Sequence, residues 1–447
     1  MKQATNSMLQ GDLSNYNKGT VALEKNKLEK ALQFLKREKD VFKEIYLNLG
    51  NCYRKMGNSV EAWKWYAKAN SDNILDLDGN GGPMYAALGN MGLICYENGE
   101  DDKAEGYFKA ALAINPLHIM SIWNYSLVLL RRYCSGGELH QYAWKMHEYR
   151  FKAVKPIDKM PHWDRKSYEK KILVLSEQGM GDKIMYGRYL SLLEDFCDEV
   201  VIQCPKELDS LFSKYRCVRT IEESDCYVGI PIGCLAEIFG NVAGEWLTAV
   251  PKDLGQKFNI VVEWAGSKTH NNDKNRSCYA GYFSRLAKKF VGRGILLHNI
   301  RPDAPTVTGV VKHKVSNWGE SLSVIAGADL VVSVDTSLVH AAGSLGKDTL
   351  MMQPLCDTDF RWGSASTKCK NGIDPETNIW YKSVTVIENR GWDKMFEELE
   401  ARIMIKYYEW QKLQMLGGLT PAQFIEECNA RLPNTTSNNS DNVALND

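Results

Sequence analysis

Apolar positions over the first 150 residues recur at helical spacing and in a repeated order. Leu49-Gly50, Tyr53, Gly57, Ala62, Tyr66 and Ala69 return as Met91-Gly92, Cys95, Gly99, Ala104, Phe108 and Ala111, with Pro116 after the second set. In a helix–turn–helix unit, small residues at such offsets let two antiparallel helices approach and the aromatic fills the groove between neighbouring units. The two glycines stand 42 residues apart, beyond the usual period of about 34, and DLDGNGGP between them supplies the extra loop. A third, degenerate hairpin is expected from Ile119 to HQYAWKMHEYRF. One helical pair cannot bury its own face, so three stacked pairs over residues 1–155 predict a small solenoid.

Beyond a polar linker at 156–168 the periodicity changes to short β-branched runs. KILVLSE reads as a strand, GMGD as a turn, KIMYGRYLSLLEDF as a helix, EVVIQC as a strand, KELDSLFSKY as a helix and SDCYVGIPIG as a third strand. From about Asn259 the pattern starts again: NIVVEWA, GILLHNI, DLVVSV, DTLMMQ and SVTVIEN read as strands. Helices are expected at YAGYFSRLAKKF, GESLSVIAGA, after DTS, and at the closing WDKMFEELEARIMIKYYEWQKL. Alternation of this kind predicts parallel sheets wound by right-handed crossovers, here two Rossmann-like units at 169–255 and 256–432, with a polar tail at 433–447 expected to be disordered. The fold class is thus α followed by α/β. Two doubly wound units in tandem place a cleft between the carboxyl ends of their strands.

Composition narrows the class. The 447 residues carry 55 Lys plus Arg against 55 Asp plus Glu, with 44% apolar and 25% charged residues, ordinary values for a globular chain of two or three domains. The neutral total argues against a protein that coats nucleic acid through charge alone, yet it is a sum of unlike parts. Residues 265–315 hold 10 basic and 2 acidic residues, whereas 316–447 hold 11 and 18. Without a signal-like core or an apolar run of about 18 residues, a soluble cytoplasmic protein with no membrane span is expected. The twelve cysteines include no C-x-x-C pair, so reduced, mostly buried thiols are expected rather than a zinc module or disulfide framework.

Three segments carry candidate chemistry. Gly179-Met180-Gly181-Asp182 follows a strand and opens a helix, where glycines let backbone approach a ligand and free N–H groups favour an anion; the same residues also make an ordinary tight turn with Asp182 as a cap. Asp335-Thr336-Ser337 follows an apolar strand and opens a helix containing His340. Its hydroxyls and amides suit a diphosphate, while a capped helix with a core histidine is the plainer alternative. Between them, the polar loop from Glu263 to Ser277 offers Lys268, Lys274 and Arg276 to neutralise phosphates, or simply a solvated charge run. No D-x-D motif stands near these segments. DTD at 357–359 lies in a loop, and no metal or other cofactor is expected; Met351 and Met352 read as core.

The run from PHW at 161–163 through KILVLSEQGMGDKIMYGRY, VEWAGSKTHNNDKNRS and VVSVDTSLVHAAGSLGK to DFRWG and WY at 380–381 resembles tetratricopeptide-repeat proteins whose glycosyltransferase domain is similar to the ADP-heptose:lipopolysaccharide heptosyltransferases. HEYRF resembles the ending of their last helical pair, and the likeness spans about residues 45–400. It implies the GT-B fold and a metal-independent, inverting transfer of a sugar from a nucleotide-diphospho-sugar. In that likeness Asp182 matches the proposed general base. Asp335, Thr336, Ser337 and His340 match the donor-diphosphate motif, Gly179 and Gly181 line the donor side, and Lys268, Lys274 and Arg276 are candidates for stabilising the departing diphosphate. Expected partners are the nucleotide sugar, an acceptor hydroxyl on a saccharide, a protein Ser/Thr or a modified DNA base, and a protein on the repeat surface. The alternative is a non-catalytic repeat scaffold with a relic transferase domain.

Overall fold

The computed structural model describes residues 14–38, 42–71, 82–138, 141–153, 160–270, 272–416 and 423; the polar tail at 433–447 lies outside them. The helical part is α1 (14–24), α2 (Leu28–Leu35), α3 (Lys43–Lys55), α4 (Ser59–Ala69), α5 (Gly82–Glu97), α6 (Asp101–Ile114), α7 (Ile119–Tyr133), α8 (Gln141–His147) and the turn-length α9 (Arg150–Ala153). The repeated glycines explain the pairing. A Cβ on Gly92 would sit 2.9 Å from the Phe108 ring, and one on Gly50 would overlap the ring of Tyr66. Each aromatic of a second helix therefore fills space that a glycine of the first leaves open. A further pair, α1 with α2, precedes the three expected. There Gly19 meets Leu35, with a Cβ 2.7 Å from Leu35 Cγ, so the aromatic marking the other pairs is missing.

The second part holds two wholly parallel sheets. The first contains β1 (Glu169–Leu175), β2 (Cys197–Gln203), β3 (Arg216–Val218) and β4 (Val228–Pro231) in the order β3-β2-β1-β4, with α10 (Met180–Tyr186), α11 (Leu190–Leu193) and α12 (Leu235–Phe239). The PHW segment runs along β4, Gly229 exchanging hydrogen bonds with Pro161 and Trp163 at 3.0 and 2.9 Å. The second contains β5 (Phe258–Glu263), β6 (Ile295–Asn299), β7 (Val310–Lys312), β8 (Leu330–Val334), β9 (Thr349–Met352) and β10 (Val384–Ile387) in the order β10-β9-β8-β5-β6-β7. Its helices are α13 (Asp273–Arg276), α14 (Gly281–Phe290), α15 (Trp318–Gly327), α16 (Ser337–Ser344), α17 (Ala365–Lys370) and α18 (Trp392–Met415). These are tetratricopeptide-like repeats followed by the two Rossmann-like units of a GT-B architecture.

One expected helix needs correcting, and two strands go beyond the expected set. KELDSLFSKY forms only a 3-10 turn at Lys206–Leu208; its two fully buried apolar side chains, Leu208 and Phe212, pin a loop that leads at once into β3. That strand, like β7, is three residues long and too short to show a period of two. Met351 and Met352 are fully buried in β9.

The order of the sheets positions the site. Ligands bind outside the carboxyl ends of strands where the order reverses. In the first sheet that is β1 beside β4, and β1 ends in the GMGD turn. In the second it is β5 beside β8, which end in the basic loop and in DTS. One continuous buried cluster runs from Tyr96, Val128 and Trp144 of the repeats through Ile184 and Ile230 to Leu338 and Trp362, so repeats and both sheets share a core.

Candidate active site

The turn after β1 is held from outside. Arg150, from the HEYRF segment, reaches Glu177 through Nε and Nη2, both at 2.9 Å, and Glu177 also accepts the Gly233 amide at 2.7 Å. The buried Lys183 ammonium donates to the carbonyls of Gln178 and Gly179 at 3.2 and 3.1 Å. Asp182 then closes the turn by accepting the Gly179 N–H at 2.8 Å, the cap that sequence allowed. Its other oxygen pairs with Arg361, from the DFRWG segment. Only 14% of the Asp182 side chain is exposed, and burial pushes its carboxyl above the usual range while Arg361 pulls it back.

The corner after β8 faces it. Thr336 caps α16 by accepting from Leu338 N–H, and Ser333 lies 3.1 Å from its hydroxyl. His340 hydrogen-bonds Tyr381 Oη through Nδ1 at 3.0 Å and stacks on Trp362 at 5.3 Å between centroids. Burial, with Arg361 and Arg188 nearby, keeps the imidazole neutral by driving its pKa well below the ordinary value. Gly181 is where the two corners touch: a Cβ there would lie 2.9 Å from His340 Cδ2 and 3.5 Å from Ser337 Cα. The starts of α10 and α16 thus meet at one spot.

Among the three cations of the basic loop, the structure brings one to this spot. Arg276, its side chain 12% exposed, donates through Nη1 to the Asp335 carbonyl at 3.1 Å, Gly266 leaves room behind the guanidinium, and Nε has no hydrogen-bond partner. Lys274 instead turns to the repeats, its ammonium against the Gly57 turn and near Glu97. Lys268 is exposed, with Asp303 as neighbour. Asp335 feels burial first and the Asp359 carboxylate second, and its pKa rises to about 6.

Arg361, to which no motif assigned a role, also stands in this candidate site. It links Asp182 to Asp359, the latter at 2.5 Å, and reaches Tyr186 Oη at 3.3 Å. Its loop is carried by the repeats. Arg131 of α7 donates to the Thr358 carbonyl at 2.6 Å, Asp357 N–H donates to the Glu97 carbonyl at 2.6 Å, and Ser364 N–H donates to Ser135 Oγ at 2.8 Å. Phe360 packs edge-on against Trp144 and His147. The only sequence signal for this was the presence of DFRWG among the shared motifs.

Tetratricopeptide-repeat family models match residues 43–71 and 87–118, which are α3 with α4 and most of α5 with α6. No curated protein matches the chain. Among solved structures, the iron-containing dodecameric glycosyltransferase TibC from enterotoxigenic Escherichia coli H10407 aligns at 9% identity and a TM-score of 0.34, over 42% of this chain and 58% of that one. A Thermobaculum terrenum O-GlcNAc transferase mutant aligns at 10% and 0.31, over 94% and 96%. The Escherichia coli heptosyltransferase WaaC with ADP aligns at 14% and 0.30, over 41% and 87%. This chain thus spans little more than half of TibC, and likenesses this loose carry no functional argument. Among the described residues no helix is long and apolar enough to cross a membrane.

Proposed function

We propose that this chain, tetratricopeptide repeats followed by a GT-B pair of domains, is a glycosyltransferase that moves a sugar from a nucleotide-diphospho-sugar to a hydroxyl acceptor. The observation that carries the reading is the meeting of a half-buried carboxylate, Asp182, with two helix starts and the Arg276 guanidinium, whose Nε faces Asp273 at 3.7 Å. In this reading Asp182 takes the proton of the acceptor hydroxyl as its oxygen attacks the anomeric carbon from the face opposite the leaving group. The bond from that carbon to the diphosphate oxygen breaks, and configuration inverts. Charge grows on the departing diphosphate, where the amides and Thr336 and Ser337 hydroxyls of the α16 start and the Arg276 cation stand ready without reorganising. No step requires a metal ion. The neutral His340 acts as packing and a hydrogen-bonding wall rather than as a cation for phosphate. Arg361 holds Asp182 ionised and oriented, and the raised carboxyl pKa makes it a better base than an exposed aspartate. Lys268 and Lys274 have no part in the transfer.

Asp182→Ala should lower transfer about 10²- to 10⁴-fold while leaving donor binding within twofold. This is checked by product formation and calorimetry across a panel of nucleotide sugars; an unchanged rate would remove Asp182 from the role of base. If no nucleotide sugar raises the melting temperature, the donor assignment falls and the scaffold reading takes its place.

A further inference from the structure

Two of the cysteines that sequence spacing kept apart are brought together at the edge of the first sheet, where β3 pairs only with β2. β2 pairs with β3 in parallel, with Ile202 opposite Cys217. Side chains two residues apart on a strand share a face, so Cys204, just past β2, points to the same side as Cys217. Asp209, after the 3-10 turn at Lys206–Leu208, completes a group of three. One ligand atom of each lies within 4.8 Å of the others, and Cys204 Sγ stands 3.7 Å from Asp209 Oδ1. With metal–sulfur bonds of about 2.3 Å and metal–oxygen bonds of about 2.0 Å, tetrahedral zinc requires ligand separations of about 3.5–3.8 Å.

We propose that Cys204, Cys217 and Asp209 bind a borderline-soft divalent cation of the zinc class. Three further features support the site. Arg219 Nη2 pairs with Asp209 Oδ2, leaving Oδ1 turned to the thiols, and Arg219 Nη1 donates to the Cys204 carbonyl at 3.0 Å. An outer partner that orients a ligating carboxylate in this way is the usual company of a metal site. Charge closes as well: two thiolates and a carboxylate balance one dication and Arg219. A cavity of about 480 Å³, lined by Asp209 with Lys206, Glu207, Ser210, Ser316 and Asn317, opens beside the carboxylate. Binding releases the two thiol protons to solvent. The bound ion ties β3 and the loop before it to β2, a structural role.

The test is titration of the thiol-reduced full chain with Co²⁺. A near-ultraviolet sulfur-to-cobalt charge-transfer band should grow to one equivalent and be bleached by Zn²⁺. Cys204→Ser and Cys217→Ser should each weaken zinc binding at least about 100-fold and Asp209→Asn about 10-fold, with Cys278→Ser unchanged. Zinc should raise the melting temperature of the parent but not of the double serine variant, whose circular dichroism should match the parent's. A missing band, an equal band in the double variant, or conversion of Cys204 and Cys217 to a disulfide in place of metal uptake would overturn the proposal.

Discussion

The corner after β1 and the corner after β8 are made of similar parts, a buried strand, a short turn and a helix start, yet they are stabilised differently. The β8 corner holds itself: Thr336 caps its own helix, and His340 is packed by Trp362 and Tyr381 from the same domain. The β1 corner depends on others. Arg150 comes from the end of the repeats, and Arg361 comes from a loop of the second domain whose carbonyls and amides are bound by α5 and α7. The difference teaches that the repeats are part of the site. They set where Asp182 points, and they reach the proposed donor-binding corner only indirectly, through Trp362 of the same loop against His340.

The sharpest way to break the contrast is Arg361→Met. It leaves the nearly buried Asp182 beside the partly exposed Asp359 without their shared cation and should cost about 3 kcal/mol of stability, read by chemical denaturation, whereas losing one hydrogen bond at the other corner through Tyr381→Phe should cost about 1 kcal/mol. Next, Gly181→Ala inserts a methyl between the corners. Strain of about 2 kcal/mol is expected, with both transfer and donor affinity reduced, because His340 and the α16 backbone cannot yield as the end of a flexible side chain does. A smaller effect separates two residues of one short helix. Arg276→Ala should weaken nucleotide-sugar binding about tenfold, the loss of one charge-assisted hydrogen bond, and Lys274→Ala should leave it within twofold by calorimetry.

The smallest effect is one of pH. Asp335 is neutral below its pKa of about 6 and negative above it. A raised carboxyl pKa contributes stability that is lost as pH rises through that value, and the same charge opposes a diphosphate. Donor affinity should therefore rise a few-fold from pH 7.5 to 5.5, and Asp335→Asn should flatten the profile.

Much of this was legible in the chain. Glycine opposite an aromatic at fixed offsets specifies how two helices meet, since only a missing Cβ admits the ring. Alternating strand and helix periods imply parallel sheets, and the turns after β1, β5 and β8 fall at their reversals of order. Asp182, the DTS start and the basic loop with its three cations stood out in sequence because each lies beside a strand end. The pair α1 with α2 was not, since Leu35 replaces the aromatic, and β3 and β7 are too short for any period. Sequence by itself determined most of the elements, their order and the kinds of groups at the ends of β1, β5 and β8. Only the tertiary structure decided which of three neighbouring cations enters the cleft, that Arg361 crosses to Asp182 from 179 residues away, and that Cys204 and Cys217 converge. Those outcomes depend on helix phase, loop docking and strand register, which long-range packing settles after local preference has chosen the elements.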